Sequence, residues 1–166
     1  PNCFLIGYWQ SFQYFDDHRQ DIIEAFNLPY EIKKDYVSIH VRRGDYLQLS
    51  EKLNILPLEY YRKAIAVFKA QSDYKYKVLS DDIEWCKNNF GFIENKHYIE
   101  GDTDYENLYL MSMCEHNIIA NSSFSWWGSW MNKNENKKVI SPKNWFGEKN
   151  KHLNTKDIYF EGCVII

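Results

Sequence analysis

The sequence predicts an α/β fold, a parallel sheet flanked by helices. Two observations carry this. Short apolar runs of strand length alternate with segments of helical period along the chain, the pattern left by strands joined through crossover helices. No internal repeat and no Gly/Ser/Pro-rich linker divides the 166 residues, a length that suits one domain.

Each element follows from its local pattern. Cys3–Trp9 reads as a short strand. Asp16–Asn27 reads as a helix, with two aspartates in its first turn and Ile22, Ile23 and Phe26 on one face. Asp35–Arg42 is predicted as a strand. Leu58–Ala70 follows as a helix, with Pro57 at its start and Leu58, Tyr61, Ile65 and Phe68 at 3–4 spacing. Tyr76–Ser80 reads as a strand, Asp81–Phe90 as a helix and His97–Glu100 as a short strand. A Thr103…Glu106 capping box opens a helix over Asp104–Glu115. Asn117–Ala120 reads as a strand, Ser122–Asn132 as a helix and Lys138–Ser141 as a last short strand, with no element assigned beyond Trp145. In Ser122–Asn132, Phe124, Trp127 and Met131 share one face while Trp126 and Trp130 share another. A helix apolar on both sides belongs inside the protein.

Composition narrows the function. Apolar residues make up 45% and charged residues 26%, which excludes intrinsic disorder. Net charge is −3, so no nucleic-acid partner is expected. No apolar run reaches the roughly 20 residues that span a bilayer. At most peripheral membrane association is expected, at the inner face of a bacterial membrane. Cys3, Cys86, Cys114 and Cys163 lie far apart without a Cys-x-x-Cys pair, which argues against a disulfide framework or structural zinc and for a reducing, cytoplasmic setting.

The chemistry collects just after the strands. In an open parallel sheet ligands bind at the carboxyl ends of the strands. Here those positions hold Arg42-Arg43-Gly44-Asp45, Ser80-Asp81-Asp82 and Asn121-Ser122-Ser123-Phe124-Ser125. Two guanidiniums offer forked donors to phosphate oxygens. A helix N-terminus bearing Ser122 and Ser123 offers N–H groups and hydroxyls to a second phosphate. A carboxylate accepts from ribose hydroxyls or from a guanine edge. His40 shares a strand face with Arg42 and so lines the same crevice. Each residue alone also has an ordinary role: His40 in the core, Asp81 and Ser122 as helix caps, Arg42 and Arg43 in ion pairs with Asp45 or the acidic stretch. Together they suit a nucleoside diphosphate. No Gly-x-Gly-x-x-Gly, Walker or Gly-x-Ser-x-Gly pattern is present. Asp102-Thr103-Asp104 coincides with the capping box, so no metal is assigned to it.

The segment Ser38-Ile39-His40-Val41-Arg42-Arg43-Gly44-Asp45 resembles the His-x-Arg-Arg-x-Asp motif of α-1,2-fucosyltransferases, glycosyltransferase family 11. Three more segments resemble the family in the right order. They are Ser80-Asp81-Asp82-Ile83-Glu84-Trp85-Cys86, Asn121-Ser122-Ser123-Phe124-Ser125-Trp126-Trp127-Gly128-Ser129-Trp130 and Ser141-Pro142-Lys143-Asn144-Trp145-Phe146. Gly7-Tyr8-Trp9-Gln10-Ser11 looks like the stretch that precedes the family's donor domain.

The resemblance implies a Rossmann-like fold, the C-terminal half of a GT-B glycosyltransferase. Residues 1–166 would form a single GDP-fucose-binding domain, with residues 1–15 as an interdomain segment of a longer parent. It implies inverting transfer of L-fucose from GDP-fucose to the 2-hydroxyl of a galactose-terminated oligosaccharide, with no metal or other cofactor. Arg42 would contact the diphosphate and Asp45 is the candidate base, with an Arg43 ion pair as the alternative role for Asp45. Arg43 would shape the loop, His40 and Asp81 would face the nucleotide, and Ser122, Ser123 and Phe124 would close on phosphate and base. Family members are longer than this chain, so transfer by these residues alone is not expected. The alternatives are a non-catalytic nucleotide- or glycan-binding module, or a transferase that uses another GDP-sugar.

Overall fold

The structure is a computed structural model that describes residues 11–26 and 32–166. The strand expected at Cys3–Trp9 lies outside the described residues. The sheet has six strands: β1 (Lys33–Val41), β2 (Lys75–Ser80), β3 (Lys96–Tyr98), β4 (Cys114–Ile118), β5 (Val139–Ser141) and β6 (Cys163–Ile165). Their spatial order is β3-β2-β1-β4-β5-β6, and every pairing is parallel. The helices are α1 (Arg19–Ala25), α2 (Leu58–Lys69), α3 (Ile83–Asn89), α4 (Asp104–Met113) and α5 (Ser123–Trp130). This is the Rossmann-like arrangement. The chain winds outward from β1 to β3, then returns to place β4 on the other side of β1. The reversal between β1 and β4 is the topological switch point, where the crevice of such sheets opens.

Alternation along β1 explains both packing layers. Val37, Ile39 and Val41 face a core built with Tyr61, Ile65 and Phe68 of α2, Cys86 of α3, and Phe90 just beyond it. Ser38 and His40 face the other way, toward α5, where His40 meets the Phe124 ring at 5.5 Å. On that side Trp126 and Trp130 of α5 are buried with Ile23, Ile119 and Val139, and the Trp126 indole donates to the Ile158 carbonyl at 2.6 Å. The tryptophan-rich helix is therefore interior, as its two apolar faces require.

Two boundaries differ from the sequence pattern. Helix α4 stops at Met113 and β4 runs over Cys114–Ile118, earlier than the predicted Asn117–Ala120. The sequence pattern carries the helix to Glu115 and opens the strand at Asn117, yet His116 and Asn117 both lie buried in β4 because their side chains are bonded. Asn117 Nδ2 donates to Ser38 Oγ at 2.7 Å and to the Met111 carbonyl at 2.8 Å, and His116 Nδ1 accepts from the Lys138 N–H at 3.1 Å. Buried polar groups are tolerated when so satisfied. The edge strand β6 was not anticipated: it is three residues long, and its outer residues Val164 and Ile165 are exposed. The capping box does form, with Thr103 N donating to Glu106 Oε2 at 2.7 Å and Glu106 N to Thr103 Oγ1 at 3.3 Å. No helix among the described residues is long and apolar enough to cross a membrane.

Candidate functional site

Three segments leave the carboxyl edge of the sheet at the switch point. Residues 42–56 follow β1, residues 119–122 follow β4, and residues 142–150 follow β5. They enclose a cavity of about 620 Å³. Arg42, Asp45, Ser122, Ser123 and Phe124 line it, together with Tyr46, Leu53, Asn121, Trp145 and Phe146. Five of the sequence-predicted residues thus meet in one place.

Arg42 is held from two sides. Its Nη2 lies 2.8 Å from Asp45 Oδ1 and its Nε lies 3.2 Å from Asp81 Oδ2. The Asp45 partner is thus Arg42, not Arg43. Asp45 opens a 3-10 turn over Asp45–Leu47, which brings it back three residues onto Arg42. The guanidinium also lies over the Tyr46 ring, 5.6 Å from its centroid. Two carboxylates and a ring fix its plane and leave its remaining N–H groups for a ligand.

Arg43 takes a different position. Its guanidinium lies 4.0 Å from the centroid of Trp85 and its Nε is 3.2 Å from Asp82 Oδ2. It is not among the cavity-lining residues. Asp82, rather than Asp81, caps α3, since its Oδ1 accepts from the Trp85 N–H at 3.2 Å. That leaves Asp81 to take Arg42 and, through Oδ1, the Arg43 N–H at 2.9 Å. Asp81 thus stands behind Arg42 and outside the cavity lining.

His40 lies below the cavity, packed on Phe124. It is buried, and its Nδ1 has no hydrogen-bond partner. Burial, then the Arg42 charge, pushes its pKa down to about 3, so the ring is neutral. The N-cap of α5 is Ser122, whose side chain makes no capping bond. Its hydroxyl and that of Ser123 border the cavity beside the first-turn N–H groups of the helix, which have no intrahelical partner.

The far end of α5 is closed. Arg19 Nη2 donates to the Trp130 carbonyl at 2.8 Å and to the Asn132 carbonyl at 2.9 Å. Lys137 Nζ donates to the carbonyls of Ser129, Trp130 and Asn132 at 3.0, 3.2 and 2.6 Å. Burial, then the neighbouring Arg19 charge, pushes the Lys137 ammonium down to about 7. Its three acceptors oppose that, because only the charged form carries three N–H groups. A recess of about 470 Å³ opens beside these groups, at the amino edge of the sheet. Arg19 and Lys137 are engaged there with the carbonyls of the helix terminus.

Sequence reasoning placed Asn121 in a strand-end segment without giving it a role, and did not assign Trp145 and Phe146 to the cavity. The signal was available, since all three stand just beyond predicted strands, but nothing in their types announces a ligand.

Fold and cavity are those of an α/β protein that brings arginine and a helix N-terminus together on a cavity at its switch point. Comparison with known proteins sharpens this. The family model described as Glycosyl transferase family 11 matches residues 1–165, and the chain belongs to that family. It is 36% identical to an O-antigen biosynthesis glycosyltransferase, WbnK, of Escherichia coli, over 92% of this chain and 58% of the relative. It is 37% identical to an alpha-1,2-colitosyltransferase of Escherichia coli, over 86% of this chain and 56% of the relative. It is 26% identical to the galactoside alpha-(1,2)-fucosyltransferase 1 of Homo sapiens, over 79% of this chain and 43% of the relative. The chain spans about half the length of these curated relatives.

Proposed function

We propose that this chain is the donor-binding part of a glycosyltransferase that moves L-fucose from GDP-fucose to the 2-hydroxyl of a galactose-terminated glycan, with inversion. The observation that carries the reading is Arg42, fixed by Asp45 and Asp81 on a cavity whose opposite side is the N-terminus of α5. As the bond from the sugar to the diphosphate breaks, negative charge grows on the leaving phosphate. A preorganised guanidinium and a helix N-terminus stabilise that charge more than they stabilise the intact donor. Ser122 and Ser123 supply hydroxyl donors to the same oxygens. The acceptor hydroxyl must lose a proton to a general base. Asp45 is the carboxylate on the cavity, and its bond to Arg42 suits it better to orienting the arginine than to taking a proton.

A second reading concerns the sugar. The 37% identity to a colitosyltransferase exceeds the 26% identity to a fucosyltransferase, which favours colitose, a related sugar, as the group transferred. A calorimetric titration with GDP, GDP-fucose, GDP-colitose, GDP-mannose and UDP-galactose tests both readings. The proposal expects GDP and one GDP-deoxysugar to bind and UDP-galactose not to. Equal binding of UDP- and GDP-sugars, or none of either, overturns it.

A further inference from the structure

The wall of the cavity is made of two loops that have no sheet between them. Residues 45–54 come from the end of β1 and residues 144–149 from the end of β5. Leu53 and Phe146 form a single antiparallel bridge. Around it, Gly147 N donates to the Lys52 carbonyl at 3.0 Å and Lys149 N to the Glu51 carbonyl at 2.9 Å. Asn54 Nδ2 donates to the Asn144 carbonyl at 2.9 Å, and Lys149 pairs with Glu51. The approach is close enough that a Cβ on Gly147 would lie 2.5 Å from the Ser50 carbonyl oxygen.

One buried side chain joins both loops to the third. Asn121, 3% exposed, donates through Nδ2 to the Asn54 carbonyl at 2.8 Å and to the Trp145 carbonyl at 2.6 Å. Its backbone carbonyl accepts from the Tyr46 hydroxyl at 2.9 Å. Both N–H bonds of one amide are thus divided between the loop after β1 and the loop after β5. The next residue is Ser122, the N-cap of α5. Losing the amide would take a donor from the half-buried Asn54 carbonyl and leave the Trp145 carbonyl only the Asn54 N–H at 3.4 Å, so the loss falls on the joint itself.

We infer that Asn121 is the positioning residue of the site: it ties the 45–54 and 144–149 loops into one rigid wall and holds that wall in register with Arg42 and the start of α5. This rests on the proposed reading of the cavity as the nucleotide-sugar site. The role is one of placement, so it acts on affinity through the geometry of Tyr46, Leu53, Trp145 and Phe146 rather than by adding a contact.

The test uses Asn121→Ala and Gly147→Ala, the second opening the same joint by steric contact from the other side. Two quantities are read: amide hydrogen exchange residue by residue, and GDP affinity by calorimetry. Exchange at Asn54, Gly147 and Lys149 is expected to accelerate about tenfold or more while β1 and β2 amides keep their protection. GDP affinity is expected to fall about tenfold, equal to about 1.4 kcal/mol. A purely structural role would instead raise exchange throughout the sheet and leave the affinity of the folded protein unchanged. If Asn121→Ala does not fold, Gly147→Ala carries both readouts. Accelerated exchange at the joint with unchanged GDP affinity overturns the inference, as does unchanged exchange at the joint. If the unsubstituted protein binds no GDP, it is the donor reading that has failed, and exchange at the joint alone decides whether Asn121 is the tie.

Discussion

Gly44 and Asp81 are in direct apposition: a Cβ on Gly44 would lie 2.7 Å from Asp81 Oδ2, the oxygen that holds Arg42 Nε. The glycine therefore serves the carboxylate. A methyl group there pushes Asp81 off both Arg42 and the Arg43 N–H. Gly44→Ala is expected to weaken GDP binding about tenfold, equal to about 1.4 kcal/mol, and a calorimetric titration checks this. Unchanged affinity would show that Asp81 does not set the pose of Arg42.

Arg42 itself should matter more. Arg42→Ala removes a charge-assisted contact, which costs about 1.5–3 kcal/mol of binding, or at least about tenfold in Kd. Arg42→Lys should also bind GDP more weakly, because an ammonium cannot keep the fork that Asp45 and Asp81 orient while reaching a phosphate. An Arg42→Lys variant with full affinity would remove bidentate recognition from the account.

Arg43 predicts the reverse separation. Stacked on Trp85 and bonded to the cap of α3, it contributes to stability and stands outside the cavity lining. Arg43→Ala is expected to lose about 1 kcal/mol of stability, lowering Tm by about 2–4 °C, with a smaller effect on GDP affinity than Arg42→Ala. Thermal melting beside titration separates the two arginines. An affinity loss equal to that of Arg42→Ala, without a change in Tm, would place Arg43 on the ligand.

The neutral, buried His40 gives the fold a pH dependence of known sign. Its folded pKa, about 3, lies below the unfolded value of 6.5. Between these values the unfolded chain binds the extra proton. Stability from this group is complete above pH 6.5 and is lost as pH falls toward 3, by at most about 1.4 kcal/mol per unit. His116, also shifted down by burial, acts in the same direction. Urea midpoints at pH 7 and pH 5 should differ more for the natural protein than for His40→Asn. Identical slopes would mean His40 titrates freely when folded.

Binding is expected to need no divalent cation, since arginine and a helix terminus take the phosphate charge in this reading. The GDP isotherm should be the same with excess EDTA as with magnesium. Loss of binding on chelation, restored by magnesium or manganese, would require a metal that the proposal omits.

The sheet and its helices were legible because alternation and helical period are properties of the chain alone. β1, α2, β2 and α5 appear within two residues of where pattern places them. β4 was shifted because Glu115-His116-Asn117 is polar, and only tertiary bonds to Ser38, Met111 and Lys138 make it a buried strand. The motif residues Arg42, Asp45, Ser122, Ser123 and Phe124 were legible as strand-end chemistry. The division of labour was not. Which of Asp81 and Asp82 caps α3, and which of two adjacent arginines reaches the cavity, depends on where Trp85 lies, a fact about packing across 40-odd residues.

The carbonyls at the end of α5 accept from Arg19, a residue 111 positions earlier than Trp130 and charged at every physiological pH. An α-helix is otherwise a balanced dipole, with about half an elementary charge of each sign at its two poles. Covering the negative pole unbalances it. Seen from the cavity, α5 then acts as a one-sided source of positive potential, stronger at its N-terminus than its two turns would supply alone. Part of the positive potential at the carboxyl edge is in this sense stored at the opposite edge of the sheet, in the Arg19 guanidinium.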